Sequence, residues 1–359
     1  MDNLLDETIR RDVQLQRFAT QMVREYVTPT AQEIARNIGN FLIGYEDLSA
    51  KEKRKLIAQV NRYTSEQWRN IWVGYDSELE ELLTQEGAYI QDLYQEATPE
   101  DETLIPVRGL PPANLPITTT TVAGVWAQFI NDNVSDTART VNAVVQQGIQ
   151  EGATVNQMVK TLRGNYNRRT KNYENGALTG KQVKRAEALV RTGTSHHVNA
   201  VRDRFAQQNN DVIQKRIFFA TLDNRTTSIC LANHLKEWDI DDANYPRLPL
   251  HFNERSVYLF KTKGVNPLNE TRPVQVGEAE EGNREFEQVT GKTTASGWLR
   301  KQPRWFIDET LGKKRAELFI DGGLDIKSMV DIQNRPLTLA QLSETTAGRK
   351  AMNRITNND

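Results

Sequence analysis

The chain has 359 residues, of which 38% are hydrophobic, with 46 basic against 47 acidic side chains. That apolar share lies below the roughly 45–50% usual for soluble domains and suits two or three modest cores better than one large core. The single cysteine, Cys230, excludes an internal disulfide framework and a zinc site with two cysteines from one chain, and the near-zero net charge excludes a uniformly cationic nucleic-acid coat. No apolar run approaches the roughly 18 residues of a membrane span, and the acidic start Met1-Asp2-Asn3 is unlike a secretory signal. A chain working in a cytoplasm, or in a particle assembled there, is therefore expected.

In chain order, Leu15, Phe18, Met22 and Tyr26 recur at helical steps. Thr30 with Glu33 reads as a capping box that opens a helix through Ile34, Ile38, Phe41 and Tyr45. Ser49 with Glu52 repeats the signal ahead of a long stretch carrying Leu56, Val60, Trp68, Trp72, Tyr75, Leu79 and Leu82, and this helical spacing assigns the aromatics to a core between helices. Five of the twelve prolines fall within Pro99–Pro116, which predicts an extended linker over 99–116. None falls in Ile117–Tyr245, and proline is costly inside helices, so this span is expected to be mostly helical. Trp126, Ile130, Val134, Val141 and Val145 mark one helix, Thr154 with Gln157 caps a second, 164–178 reads as a loop, and Val183, Val190, His197 and Phe205 mark a third.

Lys215–Leu222 is the first clear strand, with short turns and strands up to Phe260. Residues 261–297 lack periodicity and are expected to form a loop or extended arm. Trp298–Ile320 reads as helix in two pieces, Thr338–Leu342 as a last helix, and 346–359 as a frayed polar tail. Charge is uneven. Residues 76–102 hold ten acidic and no basic side chains, whereas 160–225 hold fourteen Lys/Arg against five Asp/Glu. Both blocks can be solvated helix faces, or an acidic face for one partner and a basic face for DNA or an acidic protein.

The informative segment is Ile217–Phe260. Asp223 and Asn224 suit a turn after the strand. Arg225 can pair a carboxylate, and Thr226, Thr227 and Ser228 can cap a helix holding Cys230. Pro249-Leu250-His251 leads into a second strand, Ser256–Phe260. With Asp223, Arg225, Thr226 and Cys230 in one turn and Pro249, His251, Arg255 and Ser256 in the next, the segment resembles the phage head morphogenesis domain, the Mu-F-like family of minor head proteins of tailed bacteriophages. Trp298, Gln302, Pro303, Leu311 and Gly312 resemble that family's Trp-Leu-x-x-Gln-Pro…Leu-Gly stretch, and the likeness covers roughly residues 180–342. In one departure, Glu254 stands where many relatives carry a second cysteine.

Two readings of Cys230, His234 and His251 follow. With Glu254 or Asp223 they make a four-ligand zinc set; alternatively Cys230 is a small buried side chain and the histidines bond within turns. The second is adopted, and no catalytic, cofactor or metal residue is assigned. His196 and His197 project about 100° apart on a helix, so His197 is expected to be packed and His196 exposed. Gly291-Lys292-Thr293-Thr294 lacks the upstream glycine of a phosphate loop.

The expected fold is mainly α. A helical region 1–98 is followed by the linker 99–116 and a central helical region 117–210. A small α+β core 211–260, the arm 261–297, a helical segment 298–345 and the tail 346–359 complete it. The resemblance implies a non-enzymatic virion protein inside the capsid near the portal vertex, made in the host cytoplasm. Its implied partners are the portal protein and possible major capsid, scaffolding and packaged double-stranded DNA contacts, with no membrane. The alternatives are a metal-dependent nuclease module at 217–260 and a DNA-binding module at 160–225.

Overall fold

A computed structural model describes residues 4–99, 102–107, 116–118 and 123–357. The fold is mainly α, with long N-terminal helices, a small α+β region and a helical C-terminal part. Helix α1 (Leu4–Met22) runs through a π-helical turn, Val23–Val27, into α2 (Thr28–Phe41). Thr30 therefore lies inside a helix and caps nothing. Pro29 stands in the first turn of α2, where its missing N–H is tolerated, and the widened turn before it absorbs the lost bond.

Ser49 and Glu52 do form the reciprocal capping box that opens α3 (Ala50–Glu96). At 47 residues, α3 is roughly 70 Å long at 1.5 Å per residue. Strands β1 (Pro116–Thr118) and β2 (Ala123–Val125) pair antiparallel ahead of α4 (Trp126–Glu151), and the Thr154–Gln157 box opens α5 (Val155–Arg163). Of the expected linker, positions 99, 102–107 and 116 are described. Leu104 is buried, and its N–H donates to Gln95 Oε1 at 2.7 Å, so this part lies against α3.

The loop expected over 164–178 is instead a polar hairpin, β3 (Gly164–Asn167) with β4 (Asn172–Asn175), followed by α6 (Val183–Gln208). Strand β5 (Ile213–Phe219) then forms the centre of a three-stranded antiparallel sheet between β6 (Glu237–Asp239) and β7 (Val257–Thr262). Helix α7 (Ser228–Asn233) lies between β5 and β6 in sequence.

The expected arm is structured too. Strands β8 (Thr271–Gly277) and β9 (Arg284–Thr290) form a hairpin, and Gln275 N–H donates to Leu222 O at 2.9 Å, tying it to the end of β5. Three helices follow rather than two pieces: α8 (Ala295–Leu299), α9 (Arg304–Leu311) and α10 (Lys313–Ile320). After α11 (Leu339–Glu344), the supposed tail is helix α12 (Thr346–Thr356), which buries Gly348 and Ala351.

Apolar side chains gather in three clusters. The helical bundle of α1–α6 is one, with Trp68, Trp72, Tyr75 and Trp126 inside. A second joins the ends of α3 and α6 (Ile90, Tyr94, Phe205) to one sheet face and the C-terminal helices. The third packs Leu5 of α1 on Ile217, Phe219, Val257 and Leu259 of the other sheet face. Covered on both sides, Ile217–Phe219 of β5 and Val257–Phe260 of β7 are continuous buried apolar runs.

Candidate functional site

The two motif segments meet at the end of β5. There Asp223 Oδ1 accepts the Arg225 N–H at 3.0 Å, closing an Asx turn, and Thr226 Oγ1 lies 2.9 Å from the same oxygen. From the other segment, Arg255 clamps the carboxylate with both guanidinium nitrogens, Nη1 to Oδ2 at 2.5 Å and Nη2 to Oδ1 at 2.8 Å. Burial works against the charged form of Asp223, yet Arg255, Thr226 and the Arg225 amide hold its carboxyl below the ordinary range. It is Arg255, not Arg225, that pairs closely: Arg225 is 77% exposed and stays 3.9 Å away.

Thr227 caps α7 by accepting the Cys230 N–H. Its Oγ1 also lies 2.9 Å from His251 Nε2. Cys230 Sγ is 3.2 Å from that nitrogen and 3.1 Å from Glu254 Oε1. Glu254 thus faces Cys230 from the position where the resemblance places a second cysteine. Its other oxygen accepts the Leu250 N–H. His251 Nδ1 is 2.9 Å from Phe252 O, which fixes Nδ1 as the donor and leaves Nε2 as an acceptor in the neutral ring. Burial, reinforced by Glu254, pushes the Cys230 thiol well above its ordinary range, and burial likewise raises Glu254.

With its pKa raised by burial, the thiol is no activated nucleophile. The cavity among Thr227, Cys230, His251, Glu254 and Ser256 is about 20 Å³, room for about one water or one ion. Cys230, His251 and Glu254 each offer one ligand atom, and these lie within 4.8 Å of one another. Sulfur, imidazole and carboxylate in that arrangement suit a zinc-class cation with one further ligand.

His234 belongs to neither reading of this cluster. Its ring bonds elsewhere: Nδ1 accepts the Ala220 N–H at 3.1 Å and Nε2 donates to Thr293 O at 3.2 Å. Burial pushes its pKa down to about 3, so it is a neutral pin between β5, α7 and the turn before α8. Pro249 flanks the buried Leu248 and Leu250.

The C-terminal motif residues build the fold elsewhere. Trp298 Nε1 donates to Gln275 O at 2.8 Å, and Gln302 Oε1 accepts the Gly277 N–H at 2.9 Å, which docks α8 on the hairpin. Pro303 precedes α9, Leu311 is buried at its end, and Gly312 turns into α10 with φ 77°. His197 is packed, edge-on to Trp126 at 5.4 Å. His196, expected outside, is only 8% exposed, because α6 is enclosed on more than one face.

Sequence reasoning missed the buried ion network of Glu86, Arg202 and Arg11. It also overstated the charged faces: within the basic block, Arg202 and Arg216 are buried counter-ions. Among the described residues, no helix is long and apolar enough to cross a membrane. No family model, curated protein or solved structure matches this chain.

Proposed function

We propose that this chain is a minor head protein of a tailed bacteriophage. It is a non-enzymatic virion component inside the capsid that docks at the portal vertex or inner capsid surface and acts in head assembly and genome packaging or delivery. One observation supports the reading most. Two motif segments, 223–230 and 249–256, interlock through Asp223–Arg255 and Cys230–His251, as parts of one structural unit would. The small cavity and the raised thiol fit a structural cross-link better than turnover. The proposed portal, capsid or scaffolding contacts fall to the long helices and the exposed parts of the acidic block, such as Glu80, Glu81, Asp92 and Glu96.

The test is a pull-down of the intact chain with the portal protein of its own phage, with cross-links mapped. Cross-links from portal to α3 or the C-terminal helices are expected. Absence of association across salt concentrations, with capsid protein present, would overturn portal docking.

A second reading, a metal-dependent nuclease at 217–260, is favoured only by the Cys230–His251–Glu254 ligand set. Stoichiometric zinc in the purified chain, together with nuclease activity that His251→Ala abolishes, would establish it over the structural one. The DNA-binding module at 160–225 loses ground, because part of its positive charge is neutralised inside the fold.

A further inference from the structure

A groove of about 640 Å³ runs between α1 and the edge formed by β5, β7 and the β8–β9 hairpin. Six arginines line it (Arg17, Arg24, Arg191, Arg225, Arg255 and Arg272) against a single acid, Asp12. They come from α1, the turn after it, α6, the two motif loops and β8, so no local charge run announces them.

Two of the six are neutralised: Arg255 by Asp223, and Arg191 by Glu187 at 2.7 Å. The others are not. Arg24 reaches only the exposed neighbour Glu25 at 3.6 Å, and Arg225 lies beside an Asp223 already held by Arg255. Arg17 makes no ion pair among the described residues.

Arg272 forms the floor. It is 3% exposed, lies over the Phe219 ring at 4.2 Å and donates Nη1 to Ala220 O at 2.8 Å. Its hydrogen bonds go to backbone carbonyls, and no carboxylate pairs with it among the described residues. Asp223 acts on it only from beyond ion-pair distance and is already clamped by Arg255, so an anion beside Arg272 would offset part of the cost of burying it. Concave walls of one sign also focus potential onto such an anion.

The groove carries aromatic surface as well. Phe286 of β9 lines it with 73% of its surface exposed, and Val13 of α1 is 44% exposed. Guanidinium groups that track a phosphate chain, beside an open ring on which a base can stack, are the two elements of single-strand recognition. A duplex keeps its base faces stacked inside and cannot lower a phosphate to a recessed floor. An acidic peptide would use the arginines but leave Phe286 idle.

We propose that this groove binds single-stranded nucleic acid, with phosphates on Arg17, Arg225 and Arg272 and a base stacked on Phe286. The inference does not depend on the virion reading. The test uses the full-length chain and a fluorescently labelled oligothymidylate of about a dozen nucleotides, read by anisotropy at low salt. Saturable binding that weakens as salt rises is expected.

Phe286→Ala, at an exposed strand position, should weaken binding about tenfold, and Arg17→Glu should weaken it and flatten the salt dependence, both with unchanged circular dichroism. Three results would overturn the proposal. One is no binding at low salt. Another is equal affinity for duplex with Phe286→Ala indifferent, which would mean a plain electrostatic surface. The last is displacement by polyglutamate as effective as by unlabelled strand, again with Phe286→Ala indifferent, which would point to an acidic protein partner.

Discussion

At the residue scale, Glu86 joins the bundle's longest helix to its neighbours through two arginines, Arg202 Nε at 2.6 Å and Arg11 Nε at 2.7 Å. Burial opposes its charge, but the two guanidiniums hold its carboxyl below the ordinary range. Glu86→Gln would strand Arg202, itself 2% exposed, and such a loss costs about 3–5 kcal/mol. Urea unfolding should show that loss, and a midpoint unchanged from wild type would refute it. Acid acts on this network from below: a carboxyl depressed in the folded state contributes stability above its unfolded value, and the contribution is lost as pH falls through the folded one. The buried histidines act earlier. Burial pushes His196 and His234 down to about 3, whereas unfolded histidine titrates near 6.5. Between those values the unfolded chain binds more protons, so stability falls as pH is lowered from about 6.5. A urea midpoint lower at pH 5 than at pH 7.5 is expected, with a smaller drop in His196→Leu, since His196 Nε2 is buried without a partner. A midpoint flat across that range would contradict the burial of both rings. Little of this was legible beforehand. Glu86 and Arg202 lie 116 positions apart and fall in the acidic 76–102 and basic 160–225 blocks, so the pattern reads as solvated helix faces. The Thr227 cap and the Asp223 turn were legible because their partners lie within three residues.

At the element scale, helix contacts are set by small residues under large rings. Gly193 of α6 faces Trp126 at the start of α4, and a Cβ at 193 would lie 2.4 Å from Cη2 of that indole. Alanine is the better helix former by about 1 kcal/mol, but overpacking a filled core costs about 1–3 kcal/mol. Trp126 is hemmed in by Trp72, Tyr75 and His197, so packing should win and Gly193→Ala should lower the melting temperature. A raised melting temperature would mean the indole swings aside freely. The same balance of local and tertiary forces explains which elements could be read from sequence. The Ser49 and Thr154 boxes were legible because both partners are local. The Thr30 box was misleading, since the π-helical turn lets helix continue across Pro29. The hairpins escaped notice because β3 and β4 are polar and β9 stands largely in solvent, leaving no alternation to detect. Helix α12 escaped for a similar reason, as its buried contacts are a glycine and an alanine.

At the scale of the whole molecule, helices join the cores. Helix α3 places Leu56 to Leu83 in the bundle and Ile90 and Tyr94 in the α+β core, and α6 does the same with Val190 and Phe205. Helix α1 enters both, and its first amides donate to Glu270 ahead of β8, Leu4 N at 3.2 Å and Leu5 N at 2.6 Å. Unfolding either core alone would leave the ends of three helices without packing, and an isolated helix end has little stability of its own. The Tyr94 hydroxyl tightens the coupling by accepting the Phe260 N–H of β7 at 2.9 Å, a bond across 166 positions. The chain should therefore unfold in one transition despite its length. Calorimetry should give a single peak whose calorimetric and van't Hoff enthalpies agree, and Glu86→Gln should move that peak without splitting it. Two resolved peaks, or exchange protection lost in α4 and α5 while β5 and β7 stay protected, would mean that the helices fray where the cores meet. The bundle could then open for a partner while the α+β core stayed closed.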